Sequence, residues 1–307
     1  MMWLNRDIVS IGDFSVDEIM EVIERANKMI PYASAGHPSR PLADKIIATL
    51  FYEPSTRTRL SFESAAMRMG ARVLGFGSIE GTSVAKGESL SDTIRIVNSY
   101  SDAIVLRHPS EGAARFASEF ADVPVINAGD GAGQHPTQAL LDIFTIWKES
   151  GPVNGKRIGF VGDLKYGRTV HSLSKALSLF DVSLYFISPK ELRIPKHIIK
   201  DIEKTVPVKE TENIEDVIEE LDVLYVTRIQ KERFPDIEEY KKVAGTYVIR
   251  PSLLSRGKKN LIIMHPLPRV DEIPAEIDNL PQARYFKQAS YGIPVRMAIL
   301  DLILRGE

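Results

Sequence analysis

The chain of 307 residues contains no cysteine, which excludes disulfides, thiolate metal sites and cysteine nucleophiles together. Its chemistry has to run on oxygen and nitrogen groups. Neither sign of charge dominates: 39 Lys+Arg against 41 Asp+Glu give a formal net charge of −2, so the whole-chain field holds no general attraction for nucleic acid or an anionic membrane. Any electropositive site must be local. No uninterrupted apolar run reaches the length that spans a bilayer, and Arg6 and Asp7 interrupt the N-terminal segment before any long apolar stretch. The expectation is a cytoplasmic protein that engages neither nucleic acid nor membrane. Internal repeats and low-complexity tracts are also missing. What the chain does hold is 44% hydrophobic residues, enough at this length for the cores of two domains.

Strand-like and helix-like segments alternate along the first half. Short apolar, β-compatible runs at Ile46 to Tyr52, Val73 to Phe76, Ala103 to Arg107 and Pro124 to Asn127 are separated by helical patterns at Leu60 to Met69, Leu90 to Tyr100 and Gly112 to Phe120, with another from Gln134 to Ser150. The turn-rich stretch Gly151-Pro152 to Asn154-Gly155 then marks a boundary. A second series follows, with strands at Arg157 to Val161, Val182 to Ile187, Val223 to Thr227 and Leu261 to Met264, and helices at His171 to Phe180 and Asn213 to Leu221. Such alternation predicts an α/β fold of two doubly wound domains, each with a mainly parallel sheet. The expected bounds are 1–150 and 151–287, with a C-terminal helix in 288–307, near Val295 to Leu304, packing back on the first domain.

The densest chemistry lies in FYEPSTRTRLSFE, residues 51 to 63, where Ser55, Thr56, Arg57, Thr58 and Arg59 stand between a strand and an amphipathic helix. Unpaired amides and the positive dipole end favour an anion at a helix start, and guanidinium groups add donors matched to phosphate oxygens. Ser-Thr alone would read as a cap, and the arginines as surface ion pairs; two arginines in one turn favour phosphate. In doubly wound sheets ligands gather at the carboxyl ends of strands. The groups found there are Arg107-His108-Pro109, then Asn127 to Gly131 leading to His135 and Gln138. Later strands end in Gly162-Asp163 to Arg168, in Arg228 with Gln230, and in His265 to Arg269. Those segments supply a second cationic cluster. The Gly162 to Gly167 loop lacks the G-x-G-x-x-G pattern, which disfavours a nicotinamide cofactor. The loop from Gly81 to Glu88 reads as flexible, and Lys86 there suits a lid over an anion.

With these motifs assembled, the chain resembles the aspartate/ornithine carbamoyltransferase family, and within it the aspartate-using members. The likeness runs from Arg6 to about Arg296 through FYEPSTRTRLSFE, TSVAKGESLSDT, RHPSEGAAR, NAGDGAGQHPTQALLD, GDLKYGRTVHSL, TRIQKERF and MHPLPRVDEI, in the family's order. It implies two α/β domains, the first for carbamoyl phosphate and the second for the amino acid, in a homotrimer with shared active sites. It also carries the expectation of an allosteric enzyme of pyrimidine biosynthesis, and leaves regulatory chains open as partners.

Carried over residue by residue, the resemblance implies that Ser55, Thr56, Arg57, Thr58 and Arg107 hold the phosphate. Thr58, Arg107 and His135 would contact the carbamoyl oxygen, Gln138 the carbamoyl amino group, and the backbone carbonyls of Leu267 and Pro268 the same end of the ligand. Arg57, Thr58, Arg107 and His135 are thus the expected catalytic set. Lys86, Arg168, Arg228 and Gln230 would bind aspartate, with Ser83 and Lys86 entering from the neighbouring subunit, while Glu53 and Arg233 support Arg168. The Ser83 to Lys86 loop looks a residue shorter than in some relatives, which makes Ser83 the loosest of these matches. No metal or cofactor is implied. Ornithine as acceptor is the alternative, but a dicarboxylate needs a second guanidinium, which Arg228 with Gln230 provides, and His265-Pro266-Leu267-Pro268 has no cysteine after its histidine as the ornithine enzymes usually do. A non-catalytic sensor of a phosphorylated metabolite would need only one anion cluster.

Overall fold

The structure, a computed structural model, describes residues 3–34, 40–229 and 247–306. Its contacts group the chain into two compact units, Met1–Phe144 with Tyr291–Glu307, and Thr145–Ser290. The first unit opens with helix α1 (Val16–Met29), which begins in a capping box: Ser15 and Glu18 satisfy each other's backbone amides. There follow β1 (Ile46–Phe51), α2 (Thr56–Arg68), β2 (Arg72–Phe76), α3 (Leu90–Asn98), β3 (Ala103–His108), α4 (Ala113–Ser118), β4 (Val125–Asp130) and α5 (Pro136–Ser150). The strands form a parallel sheet in the order β2-β1-β3-β4. Ala48, Leu50, Ile104, Leu106 and Val125 bury one face of it, the continuous apolar strands expected of a sheet covered on both sides.

The second unit contains β5 (Lys156–Val161), α6 (Arg168–Leu177), β6 (Val182–Ile187), α7 (Lys196–Ile202), β7 (Val208–Thr211), β8 (Val223–Val226) and β9 (Ile262–Met264). Its parallel sheet runs β7-β6-β5-β8-β9. Both sheets share one consequential property: the chain steps outward from the first strand in one direction, then returns to add strands on the other side. The reversal falls between β1 and β3 in one unit and between β5 and β8 in the other. Consecutive crossovers then leave for opposite faces, and a crevice opens beyond those strand ends.

Several expected elements differ from the structure. The helix expected over Asn213 to Leu221 is a single 3-10 turn, Ile214–Asp216. Thr211 accepts the Asn213 amide on its hydroxyl, 3.2 Å, and lies 3.3 Å from an Asp216 carboxylate oxygen, so side-chain bonds compete with helix formation. Ile214, Val217, Ile218 and Leu221 enter the core all the same. The helix expected at His171 begins at Arg168, directly after Gly167. The last helix is longer than its expected Val295–Leu304 core: it runs Tyr285–Arg305 through Pro294, and its portion from Tyr291 belongs to the first unit. There it buries Val295, Met297, Ala298, Ile299, Leu300, Leu302 and Ile303. Burial of that many apolar side chains outweighs the roughly 3 kcal/mol that an interior proline costs a helix. The contact boundary between the units lies inside α5, ahead of the Gly151-Pro152 turn. No described helix is long and apolar enough to cross a membrane.

Close backbone approach at the β5–β8 reversal rests on one glycine. Gly162 has φ 117, and a Cβ there would sit 2.2 Å from the Thr227 carbonyl oxygen, whereas Gly151, also left-handed with φ 84, has nothing within 4 Å of that position. Gly162→Ala is therefore expected to cost more stability than Gly151→Ala, about 3 kcal/mol against about 1 kcal/mol, read as a larger fall in the urea midpoint of unfolding.

Candidate active site

In the first unit the candidate residues arrive from three adjacent strands. Phe51 of β1 lies beside Arg107 of β3, and the Tyr52 amide donates to the Arg107 carbonyl at 2.9 Å, tying the start of the turn after β1 to the end of β3. Ser55 holds the N-cap position of α2 in extended backbone, φ −156 and ψ 99, without a side-chain cap hydrogen bond. At other helix starts Ser15 and Ser89 do cap, accepting from the amides of Glu18 and Asp92. The capping reading of Ser55 therefore does not hold, and the first-turn amides of α2 keep the arrangement that suits an anion. Thr58 is buried, Ser55 half-buried, and Thr56 and Arg57 exposed. Arg59 takes the bland role instead, pairing with Glu63 one turn along the helix at 3.2 Å, a contact of little energetic weight at the surface.

Arg107 lies near the end of β3, as expected, and is 8% exposed. Its Nη2 donates to Glu53 Oε1 at 2.7 Å and its Nη1 to the Ala128 carbonyl at 3.3 Å. Glu53 supplies the negative charge that a buried guanidinium requires, so the structure gives this glutamate a partner within its own unit. The Nε of Arg107 is buried with no hydrogen-bond partner among the described residues. Beyond β4, side chains hold the approach to His135. Asn127 donates to the Val9 carbonyl at 3.0 Å and accepts the Gly129 amide at 2.8 Å. Asp130 accepts the amides of Gln134 at 2.8 Å and Gly112 at 2.9 Å, one on each carboxylate oxygen. His135 is buried, and its carbonyl receives the amides of Gln138 and Ala139, which starts α5. Gln138 Nε2 donates to Asp142 Oδ1 at 2.9 Å.

Ser83 and Lys86 bound a single 3-10 turn ended by Gly87 with φ 98, and both are exposed. Within the Gly81 to Glu88 loop, expected to be flexible, these four residues form a defined turn.

In the second unit Val161 of β5 lies beside Val226 of β8, and the Thr227 hydroxyl donates to the Val161 carbonyl at 3.1 Å. Asp163 accepts the Tyr166 amide at 2.9 Å, closing the turn that delivers Arg168 to the first position of α6. Arg168 is buried and Arg228 half-buried, and they leave from neighbouring strand ends. Gln230 and Arg233 lie outside the described residues. After β9, Leu267 has φ 55 and precedes a cis Leu267–Pro268 bond. His265 braces this turn. Its Nδ1 accepts the Leu267 amide at 2.8 Å, which leaves Nε2–H to donate to Glu272 Oε1 at 2.7 Å. Burial pushes the Glu272 carboxyl up, but hydrogen bonds from His265 and from backbone amides, including that of Val270, more than offset it and hold the group below its ordinary range.

Sequence reasoning missed Asp130, Asp142 and Glu272 as supports. Asp142 carries a readable signal, four residues after Gln138 and so on the same helix face; Asp130 and Glu272 act through loop geometry that no periodicity reports.

Residues 6–148 match the model for the carbamoyl-P binding domain of aspartate/ornithine carbamoyltransferases, and residues 154–303 match that for the family's Asp/Orn binding domain. The aspartate carbamoyltransferase catalytic subunit of Methanocaldococcus jannaschii is 58% identical over 301 residues, covering 97% of this chain and 98% of that one. A crystal structure of the M. jannaschii catalytic subunit superposes with a TM-score of 0.92 at 56% identity, over 98% of this chain and 99% of that one. Aspartate transcarbamoylase from Trypanosoma cruzi in complex with carbamoyl phosphate and aspartate gives a TM-score of 0.94 at 40% identity, over 99% and 98%.

The Glu272 contact yields a pH test. Because the folded chain lowers this carboxyl from the ordinary glutamate value of 4.5, its contribution to stability is complete above that value and is lost as pH falls through the folded one. Glu272→Gln is expected to be less stable than the parent near neutral pH, with the difference shrinking as pH falls below the ordinary glutamate value. Urea unfolding across this range measures it; a difference that stays constant would contradict the assignment.

Proposed function

Because the chain belongs to the aspartate/ornithine carbamoyltransferase family, we infer that it transfers the carbamoyl group of carbamoyl phosphate to the amino group of L-aspartate, giving N-carbamoyl-L-aspartate and phosphate. The observation that carries this reading is where the cationic residues stand: each sheet puts its own pair of cationic segments at the reversal of strand order, Arg57 and Arg107 in one unit, Arg168 and Arg228 in the other. Each unit thereby offers the groups for one anionic substrate.

Carbamoyl phosphate brings about two negative charges and aspartate two carboxylates. Arg57, Lys86, Arg107, Arg168 and Arg228 oppose them, with Arg107 already partly compensated by Glu53. The uncharged amine of aspartate attacks the carbamoyl carbon, forming a C–N bond and a tetrahedral oxyanion. That oxyanion collapses by breaking the bond to the phosphate oxygen, and the departing phosphate accepts the amine proton. No enzyme nucleophile is required. Rate comes from holding two anions in attack geometry and from donors already aimed at the developing charge: Thr58, Arg107 and His135 at the carbamoyl oxygen, and Ser55, Thr56, Arg57 and Thr58 at the phosphate. Gln138 and the carbonyls of Leu267 and Pro268 take the carbamoyl amino group. Arg168, Arg228 and Gln230 bind the dicarboxylate, with Arg233 and Glu53 as supports.

Finer features belong to the same proposal. The exposed turn that carries Ser83 and Lys86 suits residues that reach a neighbouring subunit's site, as in a homotrimer with shared active sites. The name "catalytic subunit" borne by the M. jannaschii relative supports a partnership with regulatory chains and allosteric control. Cytoplasmic residence and a role in pyrimidine biosynthesis follow from the same reaction.

Mixing the protein with carbamoyl phosphate and either aspartate or ornithine decides the acceptor: phosphate release is expected with aspartate alone, and release with ornithine only, or with neither, would overturn the assignment. Arg57→Ala should lose at least about a hundredfold in turnover while its circular dichroism spectrum stays that of the parent; near-parental turnover would remove Arg57 from the machinery.

A further inference from the structure

Gln138 lies on α5 with its amide nitrogen 2.9 Å from Asp142 Oδ1. Asp142 is fully buried in the first unit. An ionised carboxylate only accepts hydrogen bonds, so this contact holds the nitrogen of the Gln138 amide inward and leaves the amide oxygen as the group presented on the other side. The same unit buries a compensating charge. Arg296 of the C-terminal helix is 3% exposed, donates from Nη1 to the Ser61 hydroxyl of α2 at 2.5 Å, and stacks its guanidinium 4.7 Å from the Phe62 ring centroid. Burial lowers this arginine toward about 10 while the charge of Asp142 acts to raise it, so a buried cation lies close enough to Asp142 to interact with it.

We propose that Asp142 is a positioning residue that sets the amide orientation of Gln138, so that its Oε1 accepts from the carbamoyl NH2 group and the site distinguishes carbamoyl phosphate from phosphorylated acyl compounds lacking that amine. The inference rests on the functional reading above, in which Gln138 meets the carbamoyl amino group. An asparagine at 142 would remove the constraint, because its own amide can pair with Gln138 in either orientation. A glutamate at 138 would keep an acceptor for the ligand and lose the donor to Asp142.

The test compares affinities for carbamoyl phosphate, acetyl phosphate and inorganic phosphate, the last two as competitive inhibitors of phosphate release. Asp142→Asn is expected to weaken carbamoyl phosphate about tenfold with little change for acetyl phosphate or inorganic phosphate. In a Gln138→Ala background the same substitution should add nothing, since its effect passes through Gln138. Equal weakening of all three ligands, or full additivity with Gln138→Ala, would overturn the proposal and mark Asp142 as a general structural residue. Should Asp142→Asn fail to fold, Gln138→Glu reads the same contact: loss of the preference for carbamoyl over acetyl phosphate, as in Gln138→Ala, supports it, and a preserved preference overturns it. An unsubstituted protein that releases no phosphate with aspartate would refute the functional reading itself, an outcome distinct from these.

Discussion

Both sheets obey one constraint on which the rest depends: in a parallel sheet all strands end at the same edge, and every return must cross over a face in the right-handed sense. When the chain reverses its direction of strand addition, successive crossovers go to opposite faces and the ends of the two central strands are left uncovered. The reversal at β1 and β3, and again at β5 and β8, therefore creates a place for polar groups without disturbing the apolar strands beneath. Phe51 and Arg107 are neighbours because of it, as are Val161 and Val226.

Charge burial is the cost of that placement, and the chain meets it with specific partners. Arg107 is taken out of water inside β3 and answered by Glu53 and the Ala128 carbonyl. Arg296 is taken out of water in the C-terminal helix and answered by the Ser61 hydroxyl, the face of Phe62 and the charge of Asp142. In the second unit the arrangement is directional: His265 accepts the Leu267 amide on one nitrogen and faces the Glu272 carboxylate with the other. Removing one member of such a set leaves a buried group unsatisfied, which costs more than the contact itself contributes.

How far the sequence reaches can be judged from particular elements. β6 coincides with the expected Val182 to Ile187, because five of its six residues are apolar and four of those are β-branched or aromatic, a composition that admits little else. The Asn213 to Leu221 segment has helical apolar spacing yet folds as a turn, because the Thr211 hydroxyl and the Asp216 carboxylate contact one another and the nearby backbone. Ser55 and Ser89 both precede helices in sequence, but only Ser89 caps; whether a hydroxyl bonds the amide behind it depends on backbone angles that composition does not report.

By itself the sequence determined the alternation of strands and helices, the absence of thiol chemistry and the cationic character of the segments that follow the strands, since each depends on residue type and local spacing. Only the tertiary structure decided which segments share a strand-order reversal, that Glu53 pairs with Arg107, and that Gln138, Asp142, Ser61 and Arg296 come together from three helices. Those contacts join residues as far apart as 235 positions, and at such separation a pairing is set by the packing of whole elements and not by anything near it in the chain.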